Sequence, residues 1–241
     1  LGDCYGHGLY GLKLDLDKAF GLYLQGSKLN HPESTYRAAV CYELGLGAKK
    51  STKHALQFYR KAANLGDPSA MYKLGRLSLD NQPKEALSWF LRAAQIADER
   101  NPHALHELGL IHLGQHGPIP SVVPDLDYAR ELFSQAALLG YAPSQTQLGL
   151  AYEQGELNCP KDPARSIAWY SRAAEQGDIE AELALSGWFF TGAEGILGQN
   201  DTLAYQWARK AADKEMAKAE YAVGYYTCLL YTSDAADDGE S

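Results

Sequence analysis

What the chain lacks narrows its function before any motif is read. No apolar run approaches the eighteen or so residues that a membrane-spanning helix needs. Basic residues are in deficit, 22 Lys and Arg against 30 Asp and Glu for a net charge of −8. That balance argues against nucleic acid or an anionic membrane surface as the main partner. Half of the excess is local, because Asp234, Asp237, Asp238 and Glu240 fall in residues 229–241 with no Lys or Arg beside them. The four cysteines, Cys4, Cys41, Cys159 and Cys228, show no paired spacing. They read as buried free thiols of a reducing compartment, Cys4 and Cys41 holding the same place beside Tyr5 and Tyr42. Glycosylation acceptors are read as absent at Asn30, Asn64, Asn81, Asn101, Asn158 and Asn200, and that reading, corrected at Asn200 below, is taken to favour the cytosol.

Catalytic signatures are missing too. There is no G-x-S-x-G elbow, Walker loop or dinucleotide fingerprint. Gly192, Gly195 and Gly198 fall between helices, so no phosphate cradle is expected there. The densest group of reactive side chains is His103, His106, Glu107, His112 and His116. His103 and His106 share a helical face, but His106–Glu107 is not followed by the spacing of H-E-x-x-H and no third ligand is placed with them. A structural role or a partner contact is the expectation; a metal-dependent hydrolase is the contrasting one. No cofactor, metal or catalytic residue is expected.

What is present is a repeat. In Leu148–Gly177 an apolar helix ends at Gly155, and a second begins at Asp162–Pro163, an N-cap followed by a proline that needs no donor. Ser166, Trp169, Tyr170, Ala173 and Ala174 then recur at offsets of 0, 3, 4, 7 and 8, one face of a helix that ends at Gly177. Two rulers repeat this pattern along the chain. The first is Gly2, Ala39, Gly75, Gly109, Gly149, Ser186 and Gly224; the second is Ala19, Ala55, Ala86, Ala129, Ser166 and Ala204. Four residues before each member of the second stand Asp15, Ser51, Gln82, Asp125, Asp162 and Asn200, five of them good N-caps. Asp67–Pro68 and Asn101–Pro102 open first helices, and His31–Pro32 does so with a poorer cap. Neither helix of a pair can bury its apolar face alone, so the fold expected is all-α, a right-handed α-solenoid of stacked antiparallel helix pairs. The longest loop is Gly114–Pro124. The opening LGDCY already reads as mid-repeat, so a piece of a longer array is expected, with fraying at its ends.

First helices of such stacks usually line the inner wall. Residues at −3, +1 and +4 from the ruler glycine point away from the packing positions. They give a candidate protein-binding groove of Tyr36, Val40, Tyr72, Arg76, His106, Leu110, Leu150, Glu153, Leu183, Phe190, Tyr221 and Tyr225. A merely wetted face would hold more Lys and Glu; apolar and aromatic patches mark interaction surfaces.

The pattern A-x-x-x-L-G-x-x-Y, then K-A-x-x-W/F-Y-x-x-A-A-x-x-G, resembles Sel1-like repeats, cousins of tetratricopeptide repeats. Ala70–Gly75, Lys61–Ala62–Ala63, Gly66 and Ala168–Ala174 carry it. Less regular pieces resemble the fungal chitin synthase regulatory (activator) proteins: Pro102–Leu108, Gly140–Ser144, Cys159–Pro160, Gly195–Leu197 with Asp201–Tyr205, and Ala217–Tyr225. The resemblance implies about six Sel1-like units over residues 1–228, truncated at both ends, and a disordered or non-native tail over 229–241. It implies a non-catalytic scaffold that activates or localises a membrane chitin synthase in septum and cell-wall synthesis. The partner would be a cytosolic part of that synthase, and the location cytoplasmic, peripheral at the plasma membrane through the partner. Some family members carry a C-terminal prenylation box; Asp238–Gly239–Glu240–Ser241 holds no cysteine, and no anchor is expected from it. The alternative is a generic Sel1-type adaptor in protein quality control or signalling.

Overall fold

The capping pattern written in the sequence is where the helices begin. In the computed structural model, which describes residues 2–117, 119 and 122–237 and side chains as far as 229, the described residues form thirteen helices. They fall into two compact units, Leu1–Val123 and Pro124–Ser241. The first holds α1 (Gly2–His7), α2 (Leu16–Lys28), α3 (Pro32–Leu44), α4 (Thr52–Asn64), α5 (Pro68–Ser78), α6 (Pro83–Ala94) and α7 (His103–His112). The second holds α8 (Leu126–Leu138), α9 (Ala142–Gln154), α10 (Pro163–Glu175), α11 (Ile179–Thr191), α12 (Asp201–Ala212) and α13 (Ala217–Asp237). Within each unit every helix packs on the one before it and the one after it, an all-α solenoid arrangement. The boundary between the units falls in the long loop between α7 and α8.

Five of the six expected caps bond as expected. Asp15, Ser51, Asp125, Asp162 and Asn200 each accept from the backbone N–H three residues on, while Gln82 makes no such bond. His31, expected to cap poorly, does the same through Nδ1, which accepts from Ser34 N at 3.2 Å. Asn101 does not cap α7; its Oδ1 accepts from Ser69 Oγ at 2.7 Å, and Pro102 takes the cap position. Asn200 also opens Asn200–Asp201–Thr202, an N-x-T acceptor pattern, so scarcity of acceptors decides nothing about compartment. The thiols differ from expectation as well: all four are free, but only Cys41 and Cys159 are buried, with Cys4 half-buried and Cys228 exposed.

The ruler glycine is a seat for a ring. A Cβ added at Gly75 would lie 2.5 Å from Phe90 Cε1, and one at Gly149 would lie 2.6 Å from Tyr170 Cδ1. At these two positions the aromatic side chain of the second helix lies directly on the first helix's backbone, and a Cβ would collide with it. Phe90, Phe133, Tyr59 and Tyr170 are all essentially buried, and around them the paired alanines let neighbouring helices close. The tryptophans three residues after the second ruler are only half-buried. Arg92 covers Trp89 at 4.6 Å, Arg172 covers Trp169 at 4.8 Å and Lys210 covers Trp207 at 3.8 Å, measured to ring centroids.

The tail expected over 229–241 is helical as far as Asp237, continuing α13. Between Gly224 and Gly239 there is no glycine or proline to stop a helix. Residues 238–241 lie outside those described, as do Pro118 and Pro120 of the long loop.

Candidate interaction surfaces on the first helices

Each unit places its share of the expected groove residues differently. In unit 1, α3 contributes Tyr36 and Val40, α5 contributes Tyr72 and Arg76, and α7 contributes His106 and Leu110. Tyr36 and Tyr72 line one cavity of about 320 Å³ together with Ser69, Lys73, Asn101 and His103. Their inner edges touch the ring seats: Tyr36 meets Tyr59 at 5.7 Å, and Tyr72 meets Phe90 at 6.0 Å and His103 at 5.2 Å. Val40 and Leu110 are half-buried, and Arg76 is exposed.

Charges on this face are paired. Lys73 Nζ lies 2.8 Å from Glu43, and Arg76 Nη1 lies 2.8 Å from Glu107, whose carboxylate is buried. His116 Nε2 approaches the other oxygen of Glu107 at 3.1 Å. His106 departs from the expectation of an open groove wall: it is buried, because α7 buries seven of its ten residues and has no solvent face wide enough to expose it. Burial pushes its imidazole down to a pKa of about 4, with His103 and His116 adding repulsion. Burial likewise lowers the pKa of His103. Among the described residues no group of three or more His, Cys, Asp or Glu is gathered to hold a metal ion.

In unit 2, α9 and α11 bring Leu150, Glu153 and Leu183 to one groove of about 490 Å³, with Thr146, Tyr170, Glu180 and Ala184. Tyr170 donates to Glu153 Oε2 at 2.8 Å, and Thr146 donates to Asp178 Oδ1 at 2.9 Å. Phe190, Tyr225 and Tyr221 fall elsewhere. Phe190 packs on Tyr225 at 5.7 Å and on Tyr226 at 5.1 Å, whereas Tyr221 on α13 is 79% exposed.

Sequence reasoning missed why Glu43 and Glu153 stand at the +4 position. Each accepts a hydrogen bond from the ring-seat tyrosine of its own helix pair, Tyr59 and Tyr170. Where the seat holds Phe90, the +4 residue is Leu79. The signal was in the sequence as a Tyr–Glu against Phe–Leu alternation. Burial and the bond to the carboxylate both push the pKa of Tyr59 and Tyr170 far up. Glu107 and Glu180 were also missed as members of these faces; from the −3 position counted, Glu107 lies one residue on and Glu180 three residues back.

Helix pairs of this length, seated ring on glycine, define a class, and the family comparison agrees with it. The chain belongs to the Sel1 repeat family: the Sel1 repeat model matches residues 1–31, 32–67, 68–98, 102–141, 142–178 and 179–216. Four of those boundaries are the first residues of α3, α5, α9 and α11. Among curated proteins the chain is similar to "Chitin synthase regulatory factor 3" of Schizosaccharomyces pombe, 41% identical over 93% of this chain and 25% of that protein. It is also similar to "Chitin synthase regulator SKT5" of Saccharomyces cerevisiae, 38% identical over 94% of this chain and 33% of that protein. The chain thus spans a quarter to a third of these relatives' length. Among solved structures a Sel1 repeat protein from Oxalobacter formigenes superposes with a TM-score of 0.73 at 29% identity, covering 87% of this chain and 82% of that one. Among the described residues no helix is long and apolar enough to cross a membrane.

Proposed function

We propose that this chain is the protein-interaction region of a chitin synthase regulator, and that it acts without chemistry of its own by holding a cytosolic part of a chitin synthase on its first-helix faces. The supporting observation is identity of 41% and 38%, sustained over 93% and 94% of the chain, to proteins named as chitin synthase regulators. The geometry is consistent with binding: Tyr36 and Tyr72 in one unit, and Leu150 and Leu183 in the other, line surface cavities of about 320 and 490 Å³. On this reading the protein works in the cytoplasm and reaches the plasma membrane through its partner. Co-precipitation of the purified chain with the cytosolic segments of a chitin synthase tests it. Capture that survives moderate salt is the expected result; no capture at any salt concentration would remove the partner and leave the repeat fold standing.

A further inference from the structure

We infer that the first-helix groove of unit 2 takes a basic segment of a protein partner, with apolar side chains on Leu150, Leu183 and Ala184 and Lys or Arg side chains against Glu153 and Glu180. This rests on the interaction reading above and adds the chemistry of what is bound. The groove floor is apolar, its rim carries two carboxylates, and no Lys or Arg lines it.

Charge complementarity selects the occupant. Three other first-helix carboxylates already have cations: Glu43 has Lys73, Glu107 has Arg76, and Glu182 has Lys214 at 2.8 Å. Glu153 has only the Tyr170 hydroxyl, and Glu180, exposed on the first turn of α11, makes no ion pair among the described residues. Nearby cations are committed elsewhere, Arg172 to the Trp169 ring and Lys214 to Glu182 and the Gly177 carbonyl. The field at the groove is negative enough to register on Tyr170: beyond burial and its hydrogen bond, Glu153, Glu156 and Glu180 all push its pKa up. An acidic segment would add repulsion to a chain already at −8. An apolar segment without cations would leave both carboxylates partly desolvated and unpaired.

The test uses the whole chain and two fluorescein-labelled peptides, one alternating Leu and Lys and the other alternating Leu and Glu, followed by anisotropy at low and moderate salt. The Lys peptide should bind and weaken as salt rises, and the Glu peptide should not bind. Glu180→Lys should weaken the Lys peptide by about tenfold and Leu183→Ala by about fivefold. Glu131→Lys, the same charge change on an exposed site of α8, should change it less than twofold. Equal binding of both peptides, or equal effects of Glu180→Lys and Glu131→Lys, would overturn the inference. If that happens while synthase segments are still captured, only the chemistry of the groove falls. If the Lys peptide behaves as expected and capture fails, the groove stands and the named partner falls.

Discussion

In unit 1 the first-helix carboxylates Glu43 and Glu107 meet Lys73 and Arg76; in unit 2 Glu182 meets Lys214, whereas Glu153 and Glu180 meet no cation among the described residues. All seven histidines of the chain, from His7 to His116, lie in unit 1. Below these faces the units are built alike, with Phe90 on Gly75 in one and Tyr170 on Gly149 in the other. The repeat constrains the ring seat, the small residues and the caps, because stacking depends on them. It leaves the outward side chains of the first helices free to diverge in charge and polarity.

The comparison can be broken first at the core. Phe90→Ala and Tyr170→Ala should each cost about 3–5 kcal/mol, the two within about 1 kcal/mol of each other, measured by urea unfolding of the whole chain. A large loss in one unit alone would mean that the seats are not equivalent.

Acid should separate the units next. His106 is neutral when folded, with its pKa pushed down from 6.5 to about 4. Above pH 6.5 it is neutral in both states and carries no penalty. As pH falls below that, the unfolded chain binds the proton first, so stability is lost progressively down to about pH 4, by at most about 3 kcal/mol. Amide exchange at equal intrinsic rates should show α7 losing protection over this window relative to α9, and His106→Gln should reduce that difference, leaving the part due to His103, whose pKa burial also lowers.

A smaller effect tests the alternation at the +4 position. Tyr170→Phe should cost about 0.5–1.5 kcal/mol by leaving Glu153 without its donor. Adding Glu153→Leu copies the Phe90–Leu79 pair of unit 1 and should recover most of that loss, read as a double-mutant cycle. The smallest effect is at a cap. Asp162→Ala should lose about 1 kcal/mol, whereas Gln82→Asp, at the one second helix without a side-chain cap bond, should gain about 0.5–1 kcal/mol. Thermal melts report both.

The residues that stacking demands were readable in advance. The glycine and alanine rulers, the acidic and hydroxyl caps and the short turn before α6 all appear where the spacing put them, because each answers a local requirement that recurs in every repeat. What was not readable depends on contacts between residues far apart in sequence. His31 caps because its ring folds back on Ser34, while Asn101 does not because Ser69, thirty-two residues earlier, takes its oxygen. His106 sits at an outward register position yet is buried, since helical spacing cannot tell that α7 is covered nearly all round. Leu150 and Glu153 come from one repeat and Leu183 from the next, and the three line one groove. Phe190 and Tyr225 share instead an aromatic cluster with Tyr226. The run of α13 to Asp237 follows from local chemistry that the repeat pattern does not carry, since no glycine or proline stands between Gly224 and Gly239.

The central claim is that the first-helix faces hold a chitin synthase. It is tested most directly by calorimetric titration of the whole chain with the synthase's cytosolic segments, comparing Tyr72→Ala in unit 1 and Leu183→Ala in unit 2 with Glu131→Lys on a second helix, each variant checked for unchanged helix content. Weakening of about fivefold or more by either first-helix substitution, with Glu131→Lys unchanged, is the result predicted. Affinity unchanged by both first-helix substitutions, or lowered equally by all three, would contradict the account.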